Sequence, residues 1–201
     1  MSGDATAVAN PLGLGYYVMS VPNAPSDGIL CSYTDSAGNK VLEVRRATSP
    51  TSEYSLVDGE NRALGVFRPK PLGFVLGFGL YNKQMALIGS AVATPAFAGS
   101  KQDFVLEDPD GKEIAFALAI DRFGSNYSIT SADRTGAIAE LRLMDPGGAS
   151  NPGPLSAKRV FNFAKGPPHS LEIIDAKFPT ILLIGLTSFM AHQNSVLFYG
   201  L

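Results

Sequence analysis

Short runs of alternating apolar and polar residues fill most of the chain after about Tyr16, and turn sequences separate these runs. Four of the turns share one rule: an Asp stands first, and Gly or Asn follows three residues later. They begin at Asp35, Asp58, Asp108 and Asp133. An Asp in the first position accepts hydrogen bonds from the backbone N–H groups that follow, and Gly or Asn tolerates the positive φ that closes the turn. The pattern therefore predicts β-hairpins with loops of three to five residues.

The spacing of these turns predicts one more hairpin. Asp35 and Asp58 are 23 residues apart, Asp58 and Asp108 are 50 apart, and Asp108 and Asp133 are 25 apart. The missing step falls near Asn82, which separates two apolar runs. Five hairpins thus recur about every 24 residues. A meandering antiparallel sheet that curls and closes is the most economical arrangement, because closure removes exposed strand edges.

Two strands show which side chains share a face. In the strand from Glu113 to Asp121, large and small residues alternate: Ile114, Phe116, Leu118 and Ile120 on one face, Ala115, Ala117 and Ala119 on the other. We expect the large face to be buried in the core. In the strand from Gly136 to Met144, three apolar residues (Ala139, Leu141, Leu143) lie opposite Glu140 and Arg142, so we expect the charged face to meet solvent.

The most apolar stretch of the chain runs from Phe178 to Ala191, just after the predicted strand Ser170–Ile174. A helix over Phe178–Gln193 would be apolar nearly all round, with only Thr180 and Thr187 forming a polar stripe, and Pro179 suits its first turn. A stretch of about 14 residues is shorter than the roughly 20 that a membrane span needs. We therefore predict no transmembrane span and a buried helix enclosed by the sheet.

Serial hairpins of the form aromatic-x-aliphatic-x-Asp-x-x-Gly followed by one apolar helix resemble the tubby C-terminal-like superfamily. This superfamily includes tubby proteins, phospholipid scramblases and plant LURP-one-related proteins. The matching stretches are Tyr54–Phe67, Phe104–Ile120, Tyr127–Leu143 and Ser170–Gln193. The resemblance implies a mainly β fold: a closed antiparallel barrel of about twelve strands around the buried C-terminal helix. The signature of the tubby phosphoinositide-binding lysine and arginine is absent, as is the acidic calcium segment of the scramblases.

Length and composition favour a single domain. The chain has 201 residues, 45% of them apolar, and a formal net charge of −2. We assign 1–15 to a flexible leader and 16–201 to one tubby-like barrel domain. Neither half of the chain is basic enough for a nucleic-acid surface, so we expect no nucleic-acid partner. The start of the chain lacks the basic and apolar regions of a secretory signal, and there is one cysteine, so we expect a cytoplasmic protein.

Few residues offer catalytic chemistry. His169 has no evident carboxylate or nucleophile partner. His192 suits a helix C-terminus, where cations are favoured. Cys31 is predicted to be a small core residue. The acidic run Asp108–Glu113 reads as a hairpin turn, because strands rather than helices flank it. We therefore predict no catalytic residues, no metal site and no cofactor.

The candidate binding residues are basic. Arg68, Lys70 and Lys83 flank a Gly/Phe-rich segment, and the pair Arg45 and Arg46 ends a strand. Beside an exposed Phe74 or Phe78, these cations could bind an anionic phospholipid headgroup and place the protein at a membrane surface.

The leading interpretation is therefore a non-enzymatic binding or scaffold module whose partner is an anionic lipid headgroup or a protein. Two alternatives remain open. One is a hydrolase-type enzyme with a site in the barrel mouth, and the other is a structural, self-assembling β-protein. The sequence leaves the oligomeric state undetermined.

Overall fold

Twelve antiparallel strands follow one another round a closed barrel in the computed structural model, which describes residues 10–22, 28–47, 53–72, 75–94, 102–121, 126–144 and 168–199. Each strand pairs with its neighbours in sequence, and β1 closes the ring on β12. The strands are β1 Tyr16–Ser20, β2 Ile29–Thr34, β3 Lys40–Arg46, β4 Tyr54–Asp58, β5 Ala63–Leu72, β6 Val75–Tyr81, β7 Leu87–Ala93, β8 Phe104–Glu107, β9 Glu113–Ala119, β10 Tyr127–Ser131, β11 Ala137–Leu143 and β12 His169–Ile173. The predicted closed barrel of about twelve strands is confirmed.

The five predicted hairpin turns all lie at the same end of the barrel, which we call the turn end; the opposite end is the loop end. In the first turn, Asp35 Oδ1 accepts hydrogen bonds from the N–H groups of Ala37 and Asn39 at 2.9 and 2.8 Å, and Gly38 has a φ of +84°. The turns at Asp58, Asn82 and Asp108 repeat this arrangement. The hairpin predicted from spacing alone, at Asn82, is thereby confirmed.

The fifth turn is shifted by two residues from its predicted position. Ser131 takes the place of the first Asp, because its Oγ accepts the N–H of Gly136 at 2.9 Å. The positive φ of +61° falls on Arg134 and not on Gly136. The prediction that Asp133 opens this turn is therefore wrong: its Oδ1 instead accepts the Thr135 N–H inside the loop.

Strand β9 faces the opposite way from the prediction. Its three alanines, Ala115, Ala117 and Ala119, are at most 1% exposed and point into the barrel. Its large residues point outward, and Ile120, just past the strand end, is 49% exposed. The cause is crowding inside: Ala117 pairs with Phe104 on β8 and Ile129 on β10, whose large side chains fill the interior on either side. The faces predicted for β11 are correct.

The interior is filled by one helix, α1, which spans Thr180–Tyr199. It begins directly after Pro179 and is longer than the predicted Phe178–Gln193. Its large apolar residues between Leu182 and Phe189 are at most 2% exposed, whereas Ile181 and Met190 are partly buried. The predicted buried helix is thus confirmed. No helix in the described part of the chain combines the length and apolarity needed to span a membrane.

A buried polar cluster fixes the helix against β2. The Tyr33 hydroxyl lies 2.7 Å from Thr187 Oγ1 and 2.8 Å from Ser188 Oγ, and it donates to the Ile184 carbonyl at 3.2 Å. Cys31 Sγ lies 3.7 Å from Ser188 Oγ, and burial raises the pKa of this thiol to about 12. Cys31 is a core residue, as predicted. Because a buried hydroxyl needs partners, this cluster selects one rotational setting of the helix.

The segment that leads into β1 contacts the barrel. Leu12 and Leu14 pack against the core, and the Tyr17 hydroxyl donates to the Pro11 carbonyl at 2.9 Å. Pro11, Leu12 and Leu14 belong to the predicted leader 1–15. Residues 1–9 of this leader lie outside the described residues.

Candidate functional site

The five predicted basic residues occupy different parts of the barrel. Arg68 and Lys70 point outward from β5, in its loop-end half, and Arg45 points outward from β3. Arg46 ends β3 at the rim of the loop end, and Lys83 lies in the Asn82 turn at the turn end. The structure therefore brings together Arg68 and Lys70, with Arg45 and Arg46 nearby.

Arg68 is oriented by one neighbour just before β4 and one on β6. Its guanidinium carbon lies 5.0 Å from the centre of the Tyr81 ring, within the range of a cation–π interaction. The ring in turn lies over Gly79, where a Cβ would come within 3.0 Å of two Tyr81 atoms. Arg68 Nε lies 2.7 Å from Glu53 Oε1 but makes no hydrogen bond there, so the pair is electrostatic only. The Arg68 side chain remains 40% exposed, which leaves part of the guanidinium accessible to a ligand.

Lys70 lies two residues further along the same face of β5. It is paired across the sheet with Gly77 of β6, as Arg68 is with Gly79. Among the described residues, no carboxylate forms an ion pair with Lys70. Gly77 and Gly79 are themselves buried, and the Tyr81 ring covers Gly79, so a ligand would contact the two cations and not the glycine backbone. A Cβ on Gly77 would lie 2.6 Å from the Ala91 carbonyl oxygen, so close strand packing also requires glycine there.

Arg45 is already engaged by a buried carboxylate. Glu43, whose side chain is 7% exposed, accepts hydrogen bonds from Arg45 Nε at 2.8 Å and from Lys40 Nζ at 2.7 Å. Burial alone would raise the Glu43 pKa, but these two cations outweigh it and the pKa is lowered. Arg45 and Arg68 are separated by β4 and lie about 12 Å apart by strand geometry. Arg45 therefore adds little net charge to the pair on β5.

Arg46 belongs to the mouth of the barrel at the loop end. It pairs across the sheet with Tyr54, whose hydroxyl lies 2.8 Å from His192 Nδ1 on the helix. Burial, with a smaller contribution from the Arg46 charge, lowers the His192 pKa. The helix continues past His192 to Tyr199. The expectation that His192 is a cation stabilising a helix C-terminus is therefore wrong.

The other residues predicted for this site, Lys83, Phe78 and Phe74, are not shown to lie beside Arg68 and Lys70. Lys83 lies at the other end of β6, about 20 Å from the Lys70 position by strand rise. Phe78, predicted as an exposed wedge beside the cations, is fully buried between Phe67 and Phe189 in the core. Phe74 lies outside the described residues.

An apolar surface lies outside the barrel, and it includes three residues of the β9 face that the sequence pattern assigned to the core. We call it the apolar wall, and it consists of Val92 on β7, Val105 on β8, and Phe116, Leu118 and Ile120 on and just after β9. The first four are partly buried and the fifth is exposed. A single cross-strand row joins this wall to the cations: Lys70, Gly77, Val92, Val105 and Phe116 are successive partners. The alternation within β9 identified these residues as one face but not as the outer one.

The loop end also holds the second histidine. His169 starts β12, and burial lowers its pKa to about 4 although the Asp121 charge acts in the opposite direction. It is therefore neutral near pH 7. Within the described ranges, no three His, Cys, Asp or Glu side chains come together in a way that could hold a metal ion.

The comparisons with known proteins bear on the fold alone. No protein-family model matches the chain, and no curated protein matches it. An X-ray structure of a protein from Arabidopsis thaliana is similar, with a TM-score of 0.59 and 11% sequence identity. The similarity covers 94% of this chain and 98% of the Arabidopsis chain. At this identity the match establishes a shared fold.

Proposed function

We propose that this chain is a non-enzymatic binding module that recognises anionic phospholipid headgroups through Arg68 and Lys70. The observation that carries the proposal is the arrangement on β5. Two cations point outward two residues apart, one is oriented by a tyrosine ring, and the other forms no ion pair with a carboxylate among the described residues. An exposed guanidinium offers several N–H donors in one plane, which suits a phosphate group.

The packed interior supports a binding function on the outer surface. The helix and the inward side chains of all twelve strands form one core cluster, in which most members are under 5% exposed. A ligand of the described barrel would therefore contact its outer surface or its rims. Headgroup binding on the outer surface of β5 requires no rearrangement of this core.

The binding should be modest and sensitive to salt. Each basic residue near an anionic membrane contributes about 1 kcal/mol, so two give about 2 kcal/mol, or roughly 30-fold in affinity. Glu53 offsets part of the Arg68 charge, which reduces the expectation to about tenfold at low salt.

Co-sedimentation with phosphatidylserine-containing vesicles tests the proposal. The double variant Arg68→Ala/Lys70→Ala should lose about tenfold in vesicle affinity at low salt. Its control is Lys83→Ala/Lys177→Ala, which removes the same charge from exposed positions at the turn end and should bind like the unmodified chain. Equal losses in both variants would show that only net charge matters. No binding of the unmodified chain to any anionic vesicle at low salt would overturn the proposal in favour of a protein partner.

The fold also bears on the family and the location that we propose for the chain. We propose membership of the tubby C-terminal-like superfamily, supported by serial hairpins, about twelve strands and a C-terminal helix inside the barrel. We also propose a cytoplasmic protein that binds peripherally to a membrane surface. The described residues hold no helix suited to spanning the bilayer, and headgroup binding places the chain at its surface.

A further inference from the structure

The apolar wall stands out from the rest of the outer surface. Outward positions on other strands carry residues such as Ser55 on β4, Ser128 on β10 and Glu140 on β11. On β7 to β9 four outward positions hold large apolar side chains, with Ser90 and Glu107 beside them, and Ile120 follows just after β9. A contiguous apolar patch on the outer surface marks a contact with a partner or with a membrane.

The polar groups around the wall favour an anionic bilayer as the occupant. On one side the cross-strand row leads through Gly77 to Lys70, with Arg68 beside it. On the wall itself the Arg134 guanidinium carbon lies 4.8 Å from the centre of the Phe116 ring. Cations therefore border the apolar side chains on both sides.

The carboxylates near the wall already have hydrogen-bond donors. Glu107 accepts from Ser90 Oγ at 2.8 Å, Asp103 from the Ala119 N–H at 2.8 Å, and Asp121 from the Asn126 N–H at 2.6 Å. The combination of an apolar centre and flanking cations matches the acyl boundary and the phosphate layer of an anionic bilayer.

We propose that the apolar wall lies on the membrane while Arg68 and Lys70 bind headgroups, so that the barrel docks on its side. This inference rests on the proposed function and adds an orientation and a second, apolar component to the binding. Lys70 and Val92 are separated by one strand, or about 10 Å, so a flat surface that contacts Val92 also lies within reach of Lys70.

The chain has no tryptophan, which allows a single reporter to be placed on either side of the barrel. Leu118→Trp puts the reporter on the wall. Thr34→Trp puts it on β2, which lies opposite β8 in the twelve-strand ring and is also partly buried. Each variant is mixed with vesicles of phosphatidylserine and phosphatidylcholine, with and without brominated acyl chains. We expect a blue shift and bromine quenching for the Leu118→Trp reporter and neither change for Thr34→Trp.

A second measurement separates the apolar component from the electrostatic one. Leu118→Ser should lower vesicle affinity by about tenfold at both low and high salt, because the loss of an apolar side chain is insensitive to ionic strength. The Arg68→Ala/Lys70→Ala variant should show its loss mainly at low salt. Thr34→Ser is the control on the opposite side and should bind like the unmodified chain.

The outcomes distinguish this inference from the proposed function. If the unmodified chain binds vesicles through Arg68 and Lys70 but the Leu118→Trp reporter stays in water, side-on docking is overturned and headgroup binding stands. If no vesicle is bound, both are overturned. If sedimentation without vesicles shows a dimer that Leu118→Ser dissociates, the wall binds a second copy of the chain and the bilayer assignment is overturned.

Discussion

Replacing Gly185 with alanine sets two effects of known size against each other. Gly185 lies in the middle of the helix between the buried residues Ile184 and Leu186. In an isolated helix, Gly→Ala stabilises by about 1 kcal/mol. Inside the barrel, the added Cβ would lie 2.9 Å from Phe78 Cε2, well inside the 3.5–4.0 Å at which carbon atoms pack.

The Phe78 ring has little room to move away. It is fully buried, and its centre lies 5.9 Å from that of Phe67 and 5.5 Å from that of Phe189. Overpacking a filled core costs about 1–3 kcal/mol. We therefore expect Gly185→Ala to lower the free energy of unfolding by about 1 kcal/mol net, which corresponds to a fall in Tm of about 2–4 °C.

Urea unfolding followed by far-ultraviolet circular dichroism measures this, and a double-mutant cycle isolates the contact. In a Phe78→Leu background the obstructing ring atom is gone, so Gly185→Ala should become neutral or stabilising, with a coupling energy of about 2 kcal/mol. If Gly185→Ala alone stabilised the protein by about 1 kcal/mol and showed no coupling to position 78, the packing of the helix against β6 would be refuted.

Three further predictions follow from the turns, the buried histidine and the helix. Gly111→Val should destabilise by about 1–2 kcal/mol more than Ser36→Val, because Gly111 has a φ of +80°; equal Tm shifts would contradict this. His169 has a folded pKa of about 4, below its unfolded value, so its contribution to stability is present above about pH 6.5 and is lost as the pH falls towards 4. His169→Gln should flatten the dependence of urea midpoint on pH in that window, and an unchanged slope would argue against a neutral, partly buried imidazole. Leu183→Asp, at a position 1% exposed, should leave the chain aggregated; a soluble variant with a cooperative melt would argue against an enclosed helix.

The hairpins could be predicted because each turn is a local structure. The hydrogen bonds of Asp35 reach only two and four residues along the chain, so the residues that make the turn are adjacent in sequence. Met85 takes the positive φ in the Asn82 turn although it is neither Gly nor Asn, and there the regular spacing was the signal. In the fifth turn Ser131 replaces Asp, and a nearby Asp133 shifted the predicted start.

The direction in which a strand faces depends on contacts distant in sequence. Alternation in β9 places Ala117 on the same face as Ala115 and Ala119. Only the packed helix and the ring of Phe104, which are distant in sequence, exclude large residues from that face. The sequence pattern also did not predict that Glu53 lies beside Arg68. Glu53 approaches Arg68 through the pairing of β4 with β5, and the predicted hairpins did not specify that register.

The threaded helix also determines the order of events in folding. Tyr16 of β1 pairs with Glu172 of β12, and the helix that fills the ring begins at Thr180, after the last strand. Hairpins such as β2–β3 involve neighbours in sequence and can form early, but the ring can close only once its final strand and its core are both present. Until then, the chain is an open sheet with two free edges and an uncovered apolar face, which is prone to aggregate. We therefore expect slow folding, dominated by long-range closure. We expect the preformed hairpins to assemble around the C-terminal helix in the closing step.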